Sequence, residues 1–172
     1  MVFRLHYNTT HCTLNNQRII IASSAEYVNC VLYNRPGMVM KTAQIPVAVR
    51  DVMFAQSLAA LPNEYCGLLL GKQAIERAVP MRSIPPAPDA YYMDPEQQIA
   101  VFTEMQTTGE QLLGIYHSHP RGPVEPSGMD LQLAFHPDAL YCIISLADPD
   151  NPVLGAYSLG NGQFEEVAVS YI

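Results

Sequence analysis

The residues best equipped for chemistry lie between 114 and 130, in Gly-Ile-Tyr-His-Ser-His-Pro-Arg-Gly-Pro-Val-Glu-Pro-Ser-Gly-Met-Asp. His117 and His119 are separated by one residue. Asp130 follows eleven residues after the second histidine, and Ser127 stands three residues before it. Side chains on a strand alternate between faces, so positions i and i+2 point the same way. Ile115 and Tyr116 read as the end of a buried strand, which aims both imidazoles at one point. A third ligand from a separate element completes a three-ligand site of the His₂–carboxylate kind. Such a site leaves one position open for water, as in catalytic zinc centres.

The same residues have plainer readings. A lone His-x-His is a weak pattern. Ser127-Gly128-Met129-Asp130 also fits a helix capping box, with Ser127 as N-cap and Asp130 at the third helical position. The run Leu131, Leu133, Ala134, Phe135 would follow as that helix. On local pattern alone the cap is the safer reading of Ser127 and Asp130. The two readings do not exclude each other for Ser127.

His-Ser-His, seven residues beginning with Pro120, Ser, two residues, Asp resembles the signature of the JAMM (MPN+) zinc metallopeptidases. That family also carries an upstream glutamate at a short strand rich in Gly and Leu, which here resembles Glu64 in Pro-Asn-Glu-Tyr-Cys-Gly-Leu-Leu-Leu-Gly. The resemblance covers roughly residues 40–172. It implies the MPN fold, a mixed, curved α/β sheet flanked by helices and related in architecture to cytidine deaminases. It also implies metal ligands His117, His119 and Asp130 for Zn²⁺, with Glu64 and Ser127 as catalytic residues. In that scheme a zinc-bound water, its pKa lowered to about 7, gives its proton to Glu64. The Ser127 hydroxyl donates to the developing oxyanion. The implied substrates are peptide or isopeptide bonds after the Gly-Gly tail of ubiquitin-like or sulfur-carrier proteins. Only a short loop, 134–140, follows Asp130, which argues against linkage-selective deubiquitination.

Two other classes stay open: a catalytically silent MPN scaffold, and a RadC-like DNA-associated protein with a similar His-x-His-Pro motif. Scaffolds usually lack ligands, whereas this chain has the full set. RadC proteins carry a helix-hairpin-helix module, and residues 1–39 look too short and too strand-like for one. Cytidine deaminase chemistry is disfavoured by the lack of His-x-Glu with a downstream Pro-Cys-x-x-Cys.

Composition narrows the classes further. The chain has 172 residues, with 9 Lys and Arg against 16 Asp and Glu, a net charge of −7. Such an acidic chain is a poor candidate for binding a phosphate backbone, so no nucleic-acid partner is expected. No apolar run approaches the ~20 residues needed to span a bilayer, so no membrane partner is expected. Cys12, Cys30, Cys66 and Cys142 form no C-x-x-C pair, and without a secretion signal a reduced, cytoplasmic protein is expected. The sequence does not set the oligomeric state.

Several elements must position the site. Residues 1–39 read as an N-terminal extension of uncertain order: a genuine arm with short strands at 18–22 and 27–33 and a turn at Asn34-Arg35-Pro36-Gly37, or a weakly ordered tail. Residues 40–172 read as one domain. A strand at 42–45 is followed by a helix with Pro46 in its first turn and Val49, Val52 and Met53 at helical spacing, ending before Pro62. Residues 64–71 read as a strand buried on both faces, with Glu64 at its start. A further strand is read at 74–84. Asp94, Pro95 and Gln97 start a helix to about Thr107, with Ile99, Phe102 and Met105 inward. A strand at 112–116 delivers His117, a short helix spans about 128–135, and 141–146 is a central strand. His136 is read as a loop residue and not a ligand. Residues 153–159 and 163–170 read as a hairpin about Gly160-Asn161-Gly162, with a bulge suggested by the broken alternation of Phe164, Val167 and Val169.

Overall fold

A computed structural model describes the backbone of residues 8–14, 17–24 and 27–32, and residues 42–172 with their side chains. β1 (Asn8–Leu14), β2 (Gln17–Ser24) and β3 (Tyr27–Leu32) form an antiparallel three-stranded sheet in that order. The turn expected at 34–37 lies outside the described residues.

From Thr42 the order is β4 (Thr42–Ile45), α1 (Val47–Ala59), β5 (Cys66–Gly71), β6 (Arg77–Met81), α2 (Pro95–Thr108) and β7 (Gln111–His119). α3 (Gly128–Gln132), β8 (Leu140–Ser145), β9 (Val153–Gly160), β10 (Gln163–Glu166) and β11 (Ala168–Tyr171) follow. Six strands make the central sheet in the order β10-β9-β8-β7-β5-β6. Only β7 and β8 run parallel within it. Their connection crosses over through the loop after His119 and α3. This is the mixed sheet flanked by helices that the sequence predicts.

Period-two alternation divides the core into two layers. Leu69, Tyr116, Cys142 and Ile144 face α1, where Val49 and Met53 pack on them. Leu68, Ile115, Tyr141 and Ile143 face α2, where Val101, Phe102 and Met105 close over them. Each such fully buried aliphatic side chain contributes about 1.5–3 kcal/mol. The buried stripe of α1 is Val49, Met53 and Ser57. Val52, expected inward, is 40% exposed because it stands off that i, i+4 stripe. Likewise Val101 and not Ile99 joins Phe102 and Met105, and Ile99 is 56% exposed.

The helix starts follow their local chemistry. Asp94 caps α2 by accepting from the Glu96 amide at 3.0 Å, with Pro95 at the first position. Pro46 stands just before α1 and is its N-cap. The last hairpin departs from the expectation. Asn161 (φ 51) and Gly162 (φ 75) make its turn, both in the left-handed region that the tightest hairpins require. The second strand, however, ends at Glu166. Val167 turns inward, 3% exposed, and its N–H donates to the Ala156 carbonyl at 2.8 Å. The chain then leaves the sheet, and β11 pairs parallel with β4. The broken alternation read from the sequence therefore marks a change of sheet and not a bulge.

Candidate metal centre

β7 runs through both histidines, three residues further than the 112–116 strand expected from sequence. Its end is held by β5 on one side and β8 on the other, with His117 opposite Cys66 and beside Ile143, and His119 beside Ser145. His117 and His119 share the α2 face. Their Nε2 atoms lie 3.0 Å apart.

The loop after β7 is pinned at three points. His119 Nδ1 lies 2.7 Å from the Pro123 carbonyl oxygen. Ser145 Oγ donates to the Gly122 carbonyl at 2.7 Å, and the Tyr157 hydroxyl donates to the Val124 carbonyl at 3.1 Å. The loop delivers α3, whose first turn is a complete capping box. The Asp130 amide donates to Ser127 Oγ at 3.1 Å, and the Ser127 amide donates to Asp130 Oδ2 at 2.6 Å. The same carboxylate faces the histidines, with Oδ1 at 3.1 Å from His117 Nε2 and Oδ2 at 3.4 Å from His119 Nε2. The capping reading and the ligand reading of Asp130 thus meet in one side chain.

The donor set suits a metal ion. A tetrahedral centre with bonds near 2.0 Å sets its ligand atoms about 3.3 Å apart, close to the 3.0, 3.1 and 3.4 Å found here. A carbonyl oxygen only accepts, so His119 Nδ1 carries the proton towards Pro123 and Nε2 is left with its lone pair in the neutral ring. Such outer hydrogen bonds fix the tautomer and orientation of a ligating histidine. His117, His119 and Asp130 are the grouping of three ligand-type side chains found among the described residues.

Electrostatics agree with this arrangement. Burial lowers the His117 pKa and keeps the ring neutral. Burial also pulls His119 down, but the Asp130 and Pro123 hydrogen bonds and the Asp130 and Glu64 charges outweigh it, so His119 is raised. Burial opposes ionisation of Asp130, yet its hydrogen bonds with His117, His119 and Ser127 hold it well below the usual carboxylate range.

Glu64 lies two residues before β5 and is 9% exposed. Its amide donates to the Ala87 carbonyl at 2.7 Å. Burial raises its carboxyl to about 7; His119 pulls it down, while Asp130 and Asp89 push it up. A carboxyl poised there is suited to taking and returning a proton near neutrality. Ser127 is exposed, and its oxygen accepts from the Asp130 amide, which leaves its own proton free to donate. His136 lies in the loop after α3, away from this grouping, and burial lowers it to about 4. Cys66 is fully buried, with Sγ 3.7 Å from the Met81 carbonyl, and burial pushes its thiol up.

Sequence reasoning missed several supporting residues. The Tyr91 ring lies 4.8 Å from the His117 ring, tilted by 31°. Ser118 and Ser145 hold main chain around the site. Each acts across a large sequence separation, and no local pattern marks it.

Residues 46–157 match the family model described as prokaryotic homologs of the JAB domain. A CysO-cysteine peptidase of Mycobacterium tuberculosis is 33% identical over 125 residues, covering 71% of this chain and 86% of its own. A probable TtuB-protein conjugate cleaving protease of Thermus thermophilus is 35% identical over 91 residues, covering 52% of this chain and 62% of its own. The solution structure of a Desulfitobacterium hafniense protein superposes with a TM-score of 0.68 at 34% identity, covering 76% of this chain and 92% of the other.

Proposed function

The chain belongs to the prokaryotic homologs of the JAB domain, and on that footing we propose that it is a zinc-dependent peptidase acting on the bond after the C-terminal Gly-Gly of a small sulfur-carrier or ubiquitin-like protein. The convergence of His117, His119 and Asp130 beside a buried, high-pKa Glu64 is the observation that carries this reading. The similarity to proteins named for cleaving CysO-cysteine and TtuB conjugates supports the substrate class. The activity is assigned to residues 40–172. The expected location is cytoplasmic; no described helix is long and apolar enough to cross a membrane.

His117 Nε2, His119 Nε2 and the Asp130 carboxylate would hold the metal. A bound zinc ion supplies Lewis acidity and a water acidic enough to attack near neutral pH. Glu64 takes the proton of the attacking water and returns it to the leaving amine. The hydroxyl of Ser127 donates to the oxygen of the scissile carbonyl as charge develops there, a contact worth about 10²–10³ in rate. Ser127 is not read as a nucleophile, since among the described residues no histidine hydrogen-bonds its hydroxyl. A Gly-Gly tail needs little room at the reacting centre. Binding energy then comes from the globular part of the carrier, so short peptides are poor substrates.

The test is mass spectrometry of a carrier protein extended by a residue or short peptide beyond its Gly-Gly, incubated with zinc-loaded wild type and with Glu64→Gln. A cut after the second Gly by wild type alone is expected. No cut of any of several carriers encoded in the same genome removes this substrate class.

A further inference from the structure

The ladder between β5 and β7 changes character at the end that meets the site. Cys66 pairs with His117 and Gly67 with Tyr116, so the next pair outward is Tyr65 with Ser118. In an antiparallel ladder such a pair exchanges two main-chain hydrogen bonds. One is present: the Ser118 amide donates to the Tyr65 carbonyl at 2.9 Å. The return bond is different. The Tyr65 amide donates to Ser118 Oγ at 2.9 Å. A side chain has taken the place of a main-chain carbonyl, and there the incoming chain leaves regular pairing. Glu64 is the residue immediately outside this join.

Ser118 is 0% exposed and lies on the α1 face, opposite the two histidines that flank it. We propose that Ser118 is a positioning residue, whose hydroxyl clamps the chain at Tyr65 and so sets the Glu64 carboxyl against His119 and Asp130. The inference rests on the peptidase reading and deepens it. One strand segment, 117–119, then does two jobs on its two faces. Its histidines face the metal position, and the serine between them fixes the distance of the base. Without that hydroxyl the Tyr65 N–H loses its partner, and the 62–65 segment keeps only the Asn63–Ala60, Glu64–Ala87 and Ser118–Tyr65 main-chain bonds, of which only the last ties it to β7. Misplacement of a catalytic group by about 1 Å costs up to about 10²-fold in rate.

The experiment uses the full-length, zinc-loaded chain and the extended carrier protein. Ser118→Ala is expected to keep zinc content and KM and to lose about 10–10²-fold in kcat. Ser118→Thr, which keeps the hydroxyl, is expected to recover most of that loss. In a Glu64→Gln background Ser118→Ala is expected to have no further effect, because the group it positions is already disabled. If Ser118→Ala does not fold, Ser118→Cys, a near-isosteric but weak acceptor, reads the same loss. Hydrogen–deuterium exchange at the Tyr65 amide gives a readout that needs no turnover, and faster exchange in the variant is expected. Kcat within twofold of wild type, equal loss in the Glu64→Gln background, or zinc lost together with kcat would each overturn the proposal. If wild type cleaves no carrier, the peptidase reading fails separately. Unchanged exchange at Tyr65 in Ser118→Ala then overturns the clamp on its own.

Discussion

Ser127 and Asp130 hold each other through two reciprocal main-chain-to-side-chain hydrogen bonds, 3.1 and 2.6 Å, while the same Asp130 carboxylate faces His117 and His119. One side chain therefore belongs both to the start of a helix and to the proposed ligand set, and the two roles can be separated by substitution. Asp130→Asn keeps a cap acceptor and removes the charge. It should retain the α3 start and lose most zinc affinity. Asp130→Ala should lose the affinity and also about 0.5–1 kcal/mol of stability, because the Ser127 amide loses its acceptor while Ser127 Oγ still caps the amide of residue 130. Metal titration and denaturant unfolding of the two metal-free variants check this; equal stability of the two would show that the side-chain bond to the Ser127 amide contributes nothing.

Purified protein should carry about one zinc ion per chain, and His117→Ala/His119→Ala should carry none. Protons compete for the ligand nitrogens, so wild-type affinity should already weaken as pH falls through the ordinary imidazole value of about 6.5. His119, whose pKa is raised, should be the first ligand to protonate. Elemental analysis of protein dialysed at several pH values measures both effects. Full occupancy in the double variant would remove the assignment.

Glu64→Gln should retain zinc and lose about 10²–10⁴-fold in turnover, because the amide cannot take a proton. Zinc content and single-turnover cleavage, measured on one preparation, check it. Near-wild-type turnover at saturating substrate would show that Glu64 is not the base.

The same carboxyl makes a prediction for metal-free protein. Its pKa rises from 4.5 to about 7 on folding. Between those values the folded state holds a proton that the unfolded state has released. Its contribution to stability is therefore fully present below pH 4.5 and is lost as pH rises towards 7. Relative to Glu64→Gln, metal-free wild type should lose about 2–3 kcal/mol across that window. Denaturant unfolding at pH 4.5 and 7 in the presence of chelator gives the comparison, and parallel curves would contradict the buried placement.

Gly67 offers a test of packing away from the chemistry. A Cβ built there would lie 2.3 Å from the Tyr116 ring, whose hydroxyl donates to Gln56 on α1 at 2.8 Å. Gly67→Ala must displace that ring from a fully buried position and should destabilise by about 1–3 kcal/mol. Gly67→Ala/Tyr116→Phe should recover little, because the clash is with ring carbons as well as the hydroxyl. Thermal unfolding of both variants reads the effect.

Much of the site was legible because it is written in short-range patterns. The histidine pair follows from strand alternation, and Ser127 with Asp130 follows from capping-box spacing. Glu64 was legible only through a family motif, since a carboxylate before an apolar strand has no local signature. Tyr91, Ser118 and Ser145 were not legible. Their roles depend on partners between 23 and 53 residues away, and nothing within one element encodes them. The fold shows the same division. Within 42–172 the strands lie within a few residues of their predicted positions, but β1 has no counterpart in the sequence reading, and the exit of the chain at Val167 reads as a bulge because β4, with which β11 pairs, lies far upstream in the sequence.

The pairing of Cys66 with His117 joins positions 51 residues apart, and under the proposed function this would separate metal capture from activity during folding. His117, His119 and Asp130 lie within a single short segment that needs only a modest loop closure to converge. Glu64 reaches them only after β5 has docked on β7. On that reading an unfolded or half-folded chain would already chelate zinc, without being able to use it. Ligand that binds both states stabilises the native one by less than its affinity implies. Zinc should accordingly raise the melting temperature less than its tight binding alone would suggest.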